Sequence, residues 1–239
     1  MANIDMFQKH LKEALGEYYE GISKEKLEKM NAYYACLIEG NSRMNLTRIL
    51  DEKGAAVNHY ADSIFADKIG IIKSGDNVID VGSGAGFPGV PLAIVREDIS
   101  VTCLEVTKKK AEFIEQSCEK CHIPIRVVAE RAEEACHEFE HGFEYDVCVS
   151  RAVGRLNILM ELCSGYVKMG GHFLAFKGSN SDMEKKEASE RATMLLGFEY
   201  IGEHKFENNS EHKILVYRRV AKMNACYPRR FGSIKKRPL

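Results

Sequence analysis

Hydrophobic residues recur at helical spacing through the first 40 residues of the chain. They form two series with three- or four-residue steps: Phe7, Leu11, Leu15 and Tyr18, then Leu27, Met30, Tyr34, Leu37 and Ile38. Gly21 and Ser23 lie between the two series, and serine is a typical residue at the start of a helix. The segment 51–69 is helical in pattern as well. We therefore expect residues 1–70 to form a helical N-terminal cap that packs on the main domain.

From Asn77 onward, short β-branched runs alternate with helical segments. Seven strands are predicted: Val78–Val81, Ser100–Glu105, Ile125–Ala129, Asp146–Ser150, His172–Phe176, Glu199–His204 and Ile214–Tyr217. Helical stretches of about 8–14 residues separate the first five, which favours parallel strands covered on both faces. The last two strands are joined by residues 206–212, including Asn208, a connection too short for a crossover helix. We expect a doubly wound, seven-stranded α/β sheet over residues 71–220, ending in an antiparallel edge hairpin.

Composition places the chain among ordinary globular proteins. Its 239 residues are 45% hydrophobic, and a chain of this length needs no disulfide or metal to fold. No apolar run approaches the roughly 20 residues of a membrane-spanning helix, and the N-terminus lacks the features of a secretory signal. Eight cysteines without such a signal are typical of reduced thiols. We therefore expect a cytoplasmic protein, and we expect it to be monomeric.

The charge is uneven along the chain. Basic and acidic residues nearly balance, at 34 and 35, yet residues 213–239 contain nine Lys and Arg and no Asp or Glu. Residues 221–239 therefore form a basic C-terminal tail. It also contains Tyr227 and Phe231, and aromatic rings among basic residues suit phosphate contact combined with base stacking. The tail is either a solvated terminus or an RNA-binding segment, and the aromatic rings favour RNA.

A glycine-rich loop follows the first predicted strand. Its sequence is Val78-Ile79-Asp80-Val81-Gly82-Ser83-Gly84-Ala85-Gly86-Phe87-Pro88-Gly89. Glycine lets a ligand lie against the backbone, and Pro88 is suited to begin the next helix. The dinucleotide pattern G-x-G-x-x-G would place a third glycine where Phe87 stands, and there is no Walker lysine. The loop therefore favours a ligand with an amino-acid group and a nucleoside over a nicotinamide cofactor, although an oxidoreductase remains an alternative.

Two further elements point to the same ligand. Glu105 ends the second strand 23 residues after Gly82, where an acid can accept both ribose hydroxyls; otherwise it is a surface carboxylate balancing the lysines that follow. After the third strand, the Ala132 N–H and the Glu133 carboxylate could bind an adenine edge, or Glu133 could simply favour a helix N-terminus. Together with Gly82 and Gly84, these positions predict the S-adenosylmethionine site of a class I methyltransferase fold. No metal is expected.

Motifs that are missing at the end of the fourth strand limit which atom could accept the methyl group. Its end, Val149-Ser150-Arg151-Ala152-Val153, has no Asn/Asp-Pro-Pro-aromatic segment of the kind found in exocyclic-amine methyltransferases, and no cysteine follows a proline as cytosine C5 chemistry requires. Guanine N7 has a lone pair and no proton, so its methylation needs no general base. Catalysis would then depend on positioning the base in line with the methyl group and on electrostatics, and the sequence identifies no catalytic residue. Arg151 could clamp the methionine carboxylate, contact an RNA phosphate, or pair with a nearby acid.

Several motifs are distributed along the sequence: Asn45-Leu46-Thr47, His59 with Asp62-Ser63, the loop from Asp80 to Gly89, Ser150-Arg151-Ala152, Phe176-Lys177-Gly178 and Tyr227-Pro228-Arg229-Arg230. Together they resemble the RsmG family, also called GidB, of bacterial small-subunit ribosomal RNA methyltransferases. The resemblance spans nearly the whole chain.

The resemblance implies methylation of N7 of one guanosine in 16S rRNA, with S-adenosylmethionine as methyl donor, and a link between lost activity and streptomycin resistance. It implies that Gly82, Phe87, Ala132, Glu133 and Arg151 contact the cofactor and that Glu105 is the ribose acid. The candidates for contacts with 16S rRNA or the small ribosomal subunit are Asn45, His59, Lys177, Arg229 and Arg230. The alternatives are a ribosome-assembly factor that binds RNA and retains a cofactor site, or methylation of another RNA.

The segment Cys118-Glu119-Lys120-Cys121-His122 has the spacing of half a zinc site. No second pair of cysteines accompanies it, and a structural zinc needs about four ligands. Phe113, Ile114 and Ser117 mark a buried face on the same predicted helix. We therefore expect core thiols.

Overall fold

The computed structural model describes residues 2–137, 145–151, 154–188, 190–207 and 209–239, without the side chains of residues 209 and 210. Ala152 and Val153 of the fourth-strand motif and Asn208 of the predicted hairpin lie outside the described residues.

A seven-stranded sheet with the order β3-β2-β1-β4-β5-β7-β6 forms the centre of the protein. Its strands are β1 (Asn77–Val81), β2 (Ser100–Leu104), β3 (Arg126–Val128), β4 (Tyr145–Arg151), β5 (Val167–Lys177), β6 (Phe198–Phe206) and β7 (Asn209–Arg219). The first five strands are parallel, and β7 is antiparallel between β5 and β6. The predicted doubly wound sheet with an antiparallel terminal hairpin is confirmed.

Helices cover both faces of the sheet. They are α1 (Ile4–Leu15), α2 (Glu17–Glu20), α3 (Lys24–Asn41), α4 (Glu52–Gly54), the π-helical segment π1 (Ala55–Ala61), α5 (Asp62–Lys68), α6 (Gly89–Val95), α7 (Lys108–Lys120), α8 (Ala132–Ala135), α9 (Leu156–Ser164), α10 (Ser181–Glu187), α11 (Glu190–Leu196) and α12 (Phe231–Lys236). The Ser23 side chain accepts the Lys26 N–H and begins α3 at the predicted break.

The crossover helices α6 and α8 are shorter than the sequence pattern indicates. α6 has seven residues, all buried, and ends where the Arg96 guanidinium turns to bond the carboxylates of Asp67 and Asp98. α8 has four residues. Apolar spacing indicates that a segment is helical but does not fix the residue at which the helix ends.

Each face of the sheet packs against its own core, because side chains alternate along the strands. On one face, Val78 and Val149 join Phe7, Leu11 and Tyr34 of the N-terminal helices in a single hydrophobic cluster. On the other face, the members include Ile79, Cys148, Leu159 of α9 and Leu196 of α11. The N-terminal helices therefore share a core with the sheet instead of forming a separate one.

The C-terminal residues pack on the second face. Ile234 of α12 is fully buried, and Tyr227 and Leu239 contact the cluster on that face. Arg229 makes an ion pair with Glu161 of α9, whose side chain is 0% exposed. The segment 221–239 is therefore basic in composition but folded onto the domain along part of its length.

No helix among the described residues is long and apolar enough to cross a membrane. Cys118 and Cys121 of the zinc-like segment are buried free thiols, and Cys36 of α3 lies against Cys121 with their sulfur atoms 4.0 Å apart. The described residues contain no cluster of potential metal ligands.

Candidate active site

The glycine loop turns sharply at the carboxyl end of β1. Gly82, Gly84 and Gly86 have φ values of 76°, 60° and 89°, a region that disfavours side chains with a Cβ. A Cβ on Gly84 would meet no atom within 4 Å, whereas one on Gly86 would lie 2.4 Å from the Tyr33 hydroxyl. Gly84 therefore leaves open space above the loop, and Gly86 allows close packing below it.

Glu105 links the second strand to this loop. One carboxylate oxygen accepts the Gly84 N–H at 2.9 Å, and the other accepts the Thr107 N–H at 2.8 Å. The side chain is almost fully buried. These two bonds hold the carboxylate beside the glycine loop, as the predicted ribose contact requires.

Asp80 lies beneath the loop and is fully buried. Its Oδ2 atom accepts the Gly89 N–H at 2.8 Å, while Oδ1 has no hydrogen-bond partner among the described residues. Burial raises the pKa of this carboxyl to about 7. Asp80 therefore supports the helix that follows the loop.

A cavity of about 360 Å³, here called the loop cavity, opens above the glycines. Its walls come from the loop, from the ends of β2 and β4, from the start of α7 and from the N-terminal helices and their connection. The lining residues are Leu46, Thr47, His59, Gly82, Ser83, Gly84, Ala85, Phe87, Glu105, Val106, Lys110 and Arg151. Five of the predicted cofactor contacts thus line one cavity: Gly82, Gly84, Phe87, Glu105 and Arg151.

A second cavity of about 580 Å³, here called the strand-end cavity, lies at the carboxyl ends of β4 and β5. Its lining is more highly charged: Ile49, Asn58, His59, Asp62, Arg151, Gly154, Phe176, Lys177, Gly178, Glu184, His212 and Lys213. His59 and Arg151 line both cavities. These two side chains therefore mark the junction between the cavities.

His59 is a neutral group at this junction. Its ring stacks on Phe87 with centroids 4.7 Å apart, and Nε2 lies 2.9 Å from the Thr47 hydroxyl. Nδ1 faces the Arg151 guanidinium at 3.4 Å, and because arginine only donates, Nδ1 is the unprotonated nitrogen. Burial and the Arg151 charge lower the pKa of His59 to about 4.

Arg151 is held by acceptors from the N-terminal helices. Its Nη1 atom donates to the Asn58 carbonyl at 2.6 Å and to the Asp62 carboxylate at 2.9 Å. The guanidinium also lies 5.6 Å from the centre of the Phe87 ring. The sequence left three roles open for Arg151: binding the methionine carboxylate, contacting an RNA phosphate, or pairing with an acid. In the structure Arg151 pairs with the acid Asp62 and lines both cavities.

Comparison with known families identifies the chain. The model of the family described as GidB, rRNA small subunit methyltransferase G, matches residues 26–215. The chain belongs to this family. The resemblance seen in the sequence is thereby confirmed.

GidB relatives match over most of their length. The ribosomal RNA small subunit methyltransferase G of Desulforamulus reducens is 36% identical over 233 residues, which cover 96% of this chain and 97% of that protein. The protein of the same name from Clostridium beijerinckii is 35% identical over 221 residues, 91% of this chain and 92% of that one.

Solved structures support the same fold. A fibrillarin pre-rRNA processing protein of Methanococcus jannaschii superimposes with a TM-score of 0.51 at 18% identity, covering 64% of this chain and 70% of that one. Geranyl diphosphate C-methyltransferase from Streptomyces coelicolor A3(2), solved with S-adenosyl-L-homocysteine, also gives 0.51 at 13% identity, covering 67% and 79%. At these identities the likeness shows the fold alone, here the class I methyltransferase fold.

Not all of the residues predicted for a GidB site lie in the two cavities. Ala132 and Glu133 begin α8, outside both linings: the Ala132 carbonyl accepts the Tyr166 hydroxyl, and Glu133 lies 3.7 Å from the Arg131 guanidinium. Asn45 is exposed beside the loop cavity, which its neighbours Leu46 and Thr47 line.

Of the residues predicted to contact RNA phosphates, one lies in a cavity and two lie outside both cavity linings. Lys177 lines the strand-end cavity, but its ammonium pairs with Glu184 at 2.7 Å. Arg229 is bound by three hydrogen bonds to Glu161, away from both cavity linings, and its role in the structure is to neutralise a buried carboxylate. Arg230 is exposed.

Sequence reasoning did not single out Thr47, Asp62 or His212 as functional residues. Thr47 and Asp62 lie inside motifs that carry the family resemblance, which was an available signal. His212 follows Asp62 by 150 residues, and only the sheet brings the two side chains within 3.4 Å of each other.

Proposed function

We propose that the protein transfers the methyl group of S-adenosylmethionine to N7 of a single guanosine in 16S ribosomal RNA. We also propose that it acts as a monomer in the cytoplasm, on the small subunit or a precursor of it. Membership of the family described as rRNA small subunit methyltransferase G supports the reaction class. The observation that carries the proposal is the pair of cavities that share His59 and Arg151.

The loop cavity fits the methyl donor. Gly84 leaves its backbone open to a ligand, and the Glu105 carboxylate is fixed where it could accept hydrogen bonds from ribose hydroxyls. When bound, S-adenosylmethionine supplies an electrophilic methyl group on a sulfonium sulfur. Ala132 and Glu133 remain our proposal for the adenine contact, since β3 is the strand beside β2 and α8 begins close to its carboxyl end.

The residues at the junction suit a cationic donor. His59 is neutral because its pKa lies near 4, so it adds no positive charge beside the sulfonium. The Arg151 charge is balanced by Asp62. Guanine N7 has a lone pair and no proton, so the reaction needs no general base, and these side chains would act through positioning and electrostatics.

The strand-end cavity would receive the acceptor base. Its position at the carboxyl ends of parallel strands is the usual ligand side of a doubly wound sheet. We propose that the RNA backbone runs over the exposed Asn45 on one side and the exposed Arg230 on another, with Lys177 near the base.

The test is methyl transfer to small ribosomal subunits from cells that lack the endogenous modification. Radiolabelled S-adenosylmethionine provides the label, and nuclease digestion identifies the modified nucleoside. We expect 7-methylguanosine at one site. Absence of label, with the donor still bound in calorimetry, would overturn the proposal in favour of an RNA-binding assembly factor. Label in another nucleoside would overturn the N7 assignment alone.

A further inference from the structure

The strand-end cavity contains a titratable side chain that the proposed methyl transfer leaves unused. His212 belongs to β7, the antiparallel strand inserted beside β5, and its ring is about one-third exposed to the cavity side of the sheet. Its partner is Asp62, which begins α5. A series of three contacts leads from the junction to this histidine. His59 faces Arg151, Arg151 pairs with Asp62, and Asp62 contacts His212.

The other cations of this cavity are engaged by protein acceptors. The Lys177 ammonium donates to the Gly154 carbonyl at 2.6 Å and pairs with Glu184 at 2.7 Å. The Lys213 ammonium pairs with Asp182 at 2.8 Å and with Glu203 at 3.3 Å. The Arg151 guanidinium donates to the Asn58 carbonyl and to Asp62. Each of them is therefore already held by two protein acceptors, at least one of which is a carboxylate.

His212 differs because, in the part of the chain that the structure describes, it is bonded through one ring nitrogen. Nδ1 lies 3.4 Å from Asp62 Oδ1, so the carboxylate fixes a proton on Nδ1. The charged groups around the ring are Asp62 on α5, Arg151 on β4 and Glu211 on β7. The two carboxylates raise the pKa of His212 above its usual value, while burial and Arg151 oppose the rise. In the protonated ring, the opposite nitrogen, Nε2, is also a donor.

We infer that His212 recognises the acceptor base by donating a hydrogen bond from Nε2 to guanine O6, and that Asp62 orients its ring. The inference rests on the proposed function, since it concerns the base that enters the strand-end cavity. On the major-groove edge of guanine, O6 and N7 are neighbouring acceptors, whereas adenine places an amino donor beside N7. A donor at this point therefore selects guanine while leaving the N7 lone pair free to face the junction.

The experiment compares His212→Gln with His212→Leu in methyl transfer to unmethylated small subunits. Glutamine keeps a donor close to the position of Nε2, and leucine has none. Losing a charged hydrogen bond should lower kcat/KM by about 10- to 100-fold in the leucine variant, with most of the activity restored by glutamine. The matched control is His204→Leu on the neighbouring strand β6, where the histidine is exposed and lies outside both cavity linings.

The pH profile supplies a readout that a merely structural role would not change. Below its pKa His212 donates from Nε2, and above it Nε2 becomes an acceptor facing O6. The wild-type rate should therefore fall as pH rises through the raised pKa of His212, and the fall should be absent in His212→Gln. In Asp62→Asn the fall should move to lower pH, because the carboxylate that raises this pKa is gone.

Binding measurements separate failure of this inference from failure of the proposed function. Calorimetry with S-adenosylmethionine should give the same affinity for wild type and both His212 variants, because His212 is outside the loop cavity. Equal losses in the glutamine and leucine variants, or a pH profile unchanged by glutamine, would overturn the inference while wild type still forms 7-methylguanosine. A wild-type protein that labels no guanosine would overturn the proposed function itself.

Discussion

The imidazole of His59 lies flat against the ring of Phe87, with centroids 4.7 Å apart and planes 18° from parallel. Phe87 occupies the position where a dinucleotide-binding loop would have its third glycine. The same ring therefore stands where such a loop needs a glycine for close packing of helix and strand, and it supports the histidine at the junction of the two cavities. The contact also joins π1 of the N-terminal helices to the glycine loop.

We predict that His59 makes the folded protein less stable in weak acid. Its pKa of about 4 lies below the unfolded value of about 6.5, so the unfolded chain binds a proton first as the pH falls. The free energy of unfolding should drop between about pH 6.5 and pH 4, by up to ~3 kcal/mol from this group. Urea unfolding of wild type and His59→Gln across this range measures the effect.

Wild type must be compared with His59→Gln because protonation of Asp80 changes the free energy of unfolding in the opposite direction. Its pKa is raised to about 7, so the folded state holds the extra proton and Asp80 alone makes the protein more stable as the pH falls. The difference in stability between wild type and His59→Gln should shrink toward low pH. A constant difference would show that His59 is not held neutral.

Glu105→Ala should weaken S-adenosylmethionine binding about 10- to 100-fold, the usual effect of losing hydrogen bonds to a charged group. Part of the loss would come from the freed Gly84 N–H, which now bonds to Glu105. Calorimetry measures the affinity, and Glu115→Ala, an exposed change on α7, is the control. Unchanged affinity in Glu105→Ala would show that another residue binds the ribose.

The two neighbouring glycines should respond differently to alanine. Gly84→Ala places a methyl group in the open space of the loop cavity, so donor affinity should fall while stability drops by only about 1 kcal/mol from the positive φ. Gly86→Ala drives a Cβ against Tyr33 and Val90, so stability should drop by about 3 kcal/mol. Thermal unfolding and calorimetry separate the two, and a reversed order would contradict the orientation of the loop.

Arg229→Ala should destabilise the fold by about 3 kcal/mol, because it removes the guanidinium that balances the buried Glu161 carboxylate and leaves only the hydrogen bond from the backbone N–H of residue 229. Arg230→Ala, one residue away and exposed, should leave the unfolding temperature unchanged. Denaturant unfolding distinguishes them. If Arg229→Ala instead keeps full stability and only reduces the salt dependence of RNA binding, Arg229 is a phosphate contact as the sequence suggested.

Much of the fold was predictable because it depends on local pattern. Val78 and Ile79 face opposite cores, and such two-residue alternation identifies strands before any contact is known. The loop Gly82–Gly89 and the acid at Glu105 follow their strands at characteristic distances along the chain. The lengths of the strands were harder to predict from the pattern. β5 begins at Val167 and not at His172, because Val167 pairs with Tyr145 across a register shift.

The sheet, the glycine loop and the chemical class of its ligand could therefore be predicted from the sequence alone, because those features involve residues close together in the chain. Only the folded chain shows which distant charges meet. Asp62 reaches both Arg151 and His212 because β4 and β7 place these side chains against the start of α5, and Arg229 reaches Glu161 across 68 residues. Such pairings depend on the path of the whole chain, so no spacing along it reveals that Arg229 is held by a buried acid or that His212 lines the strand-end cavity.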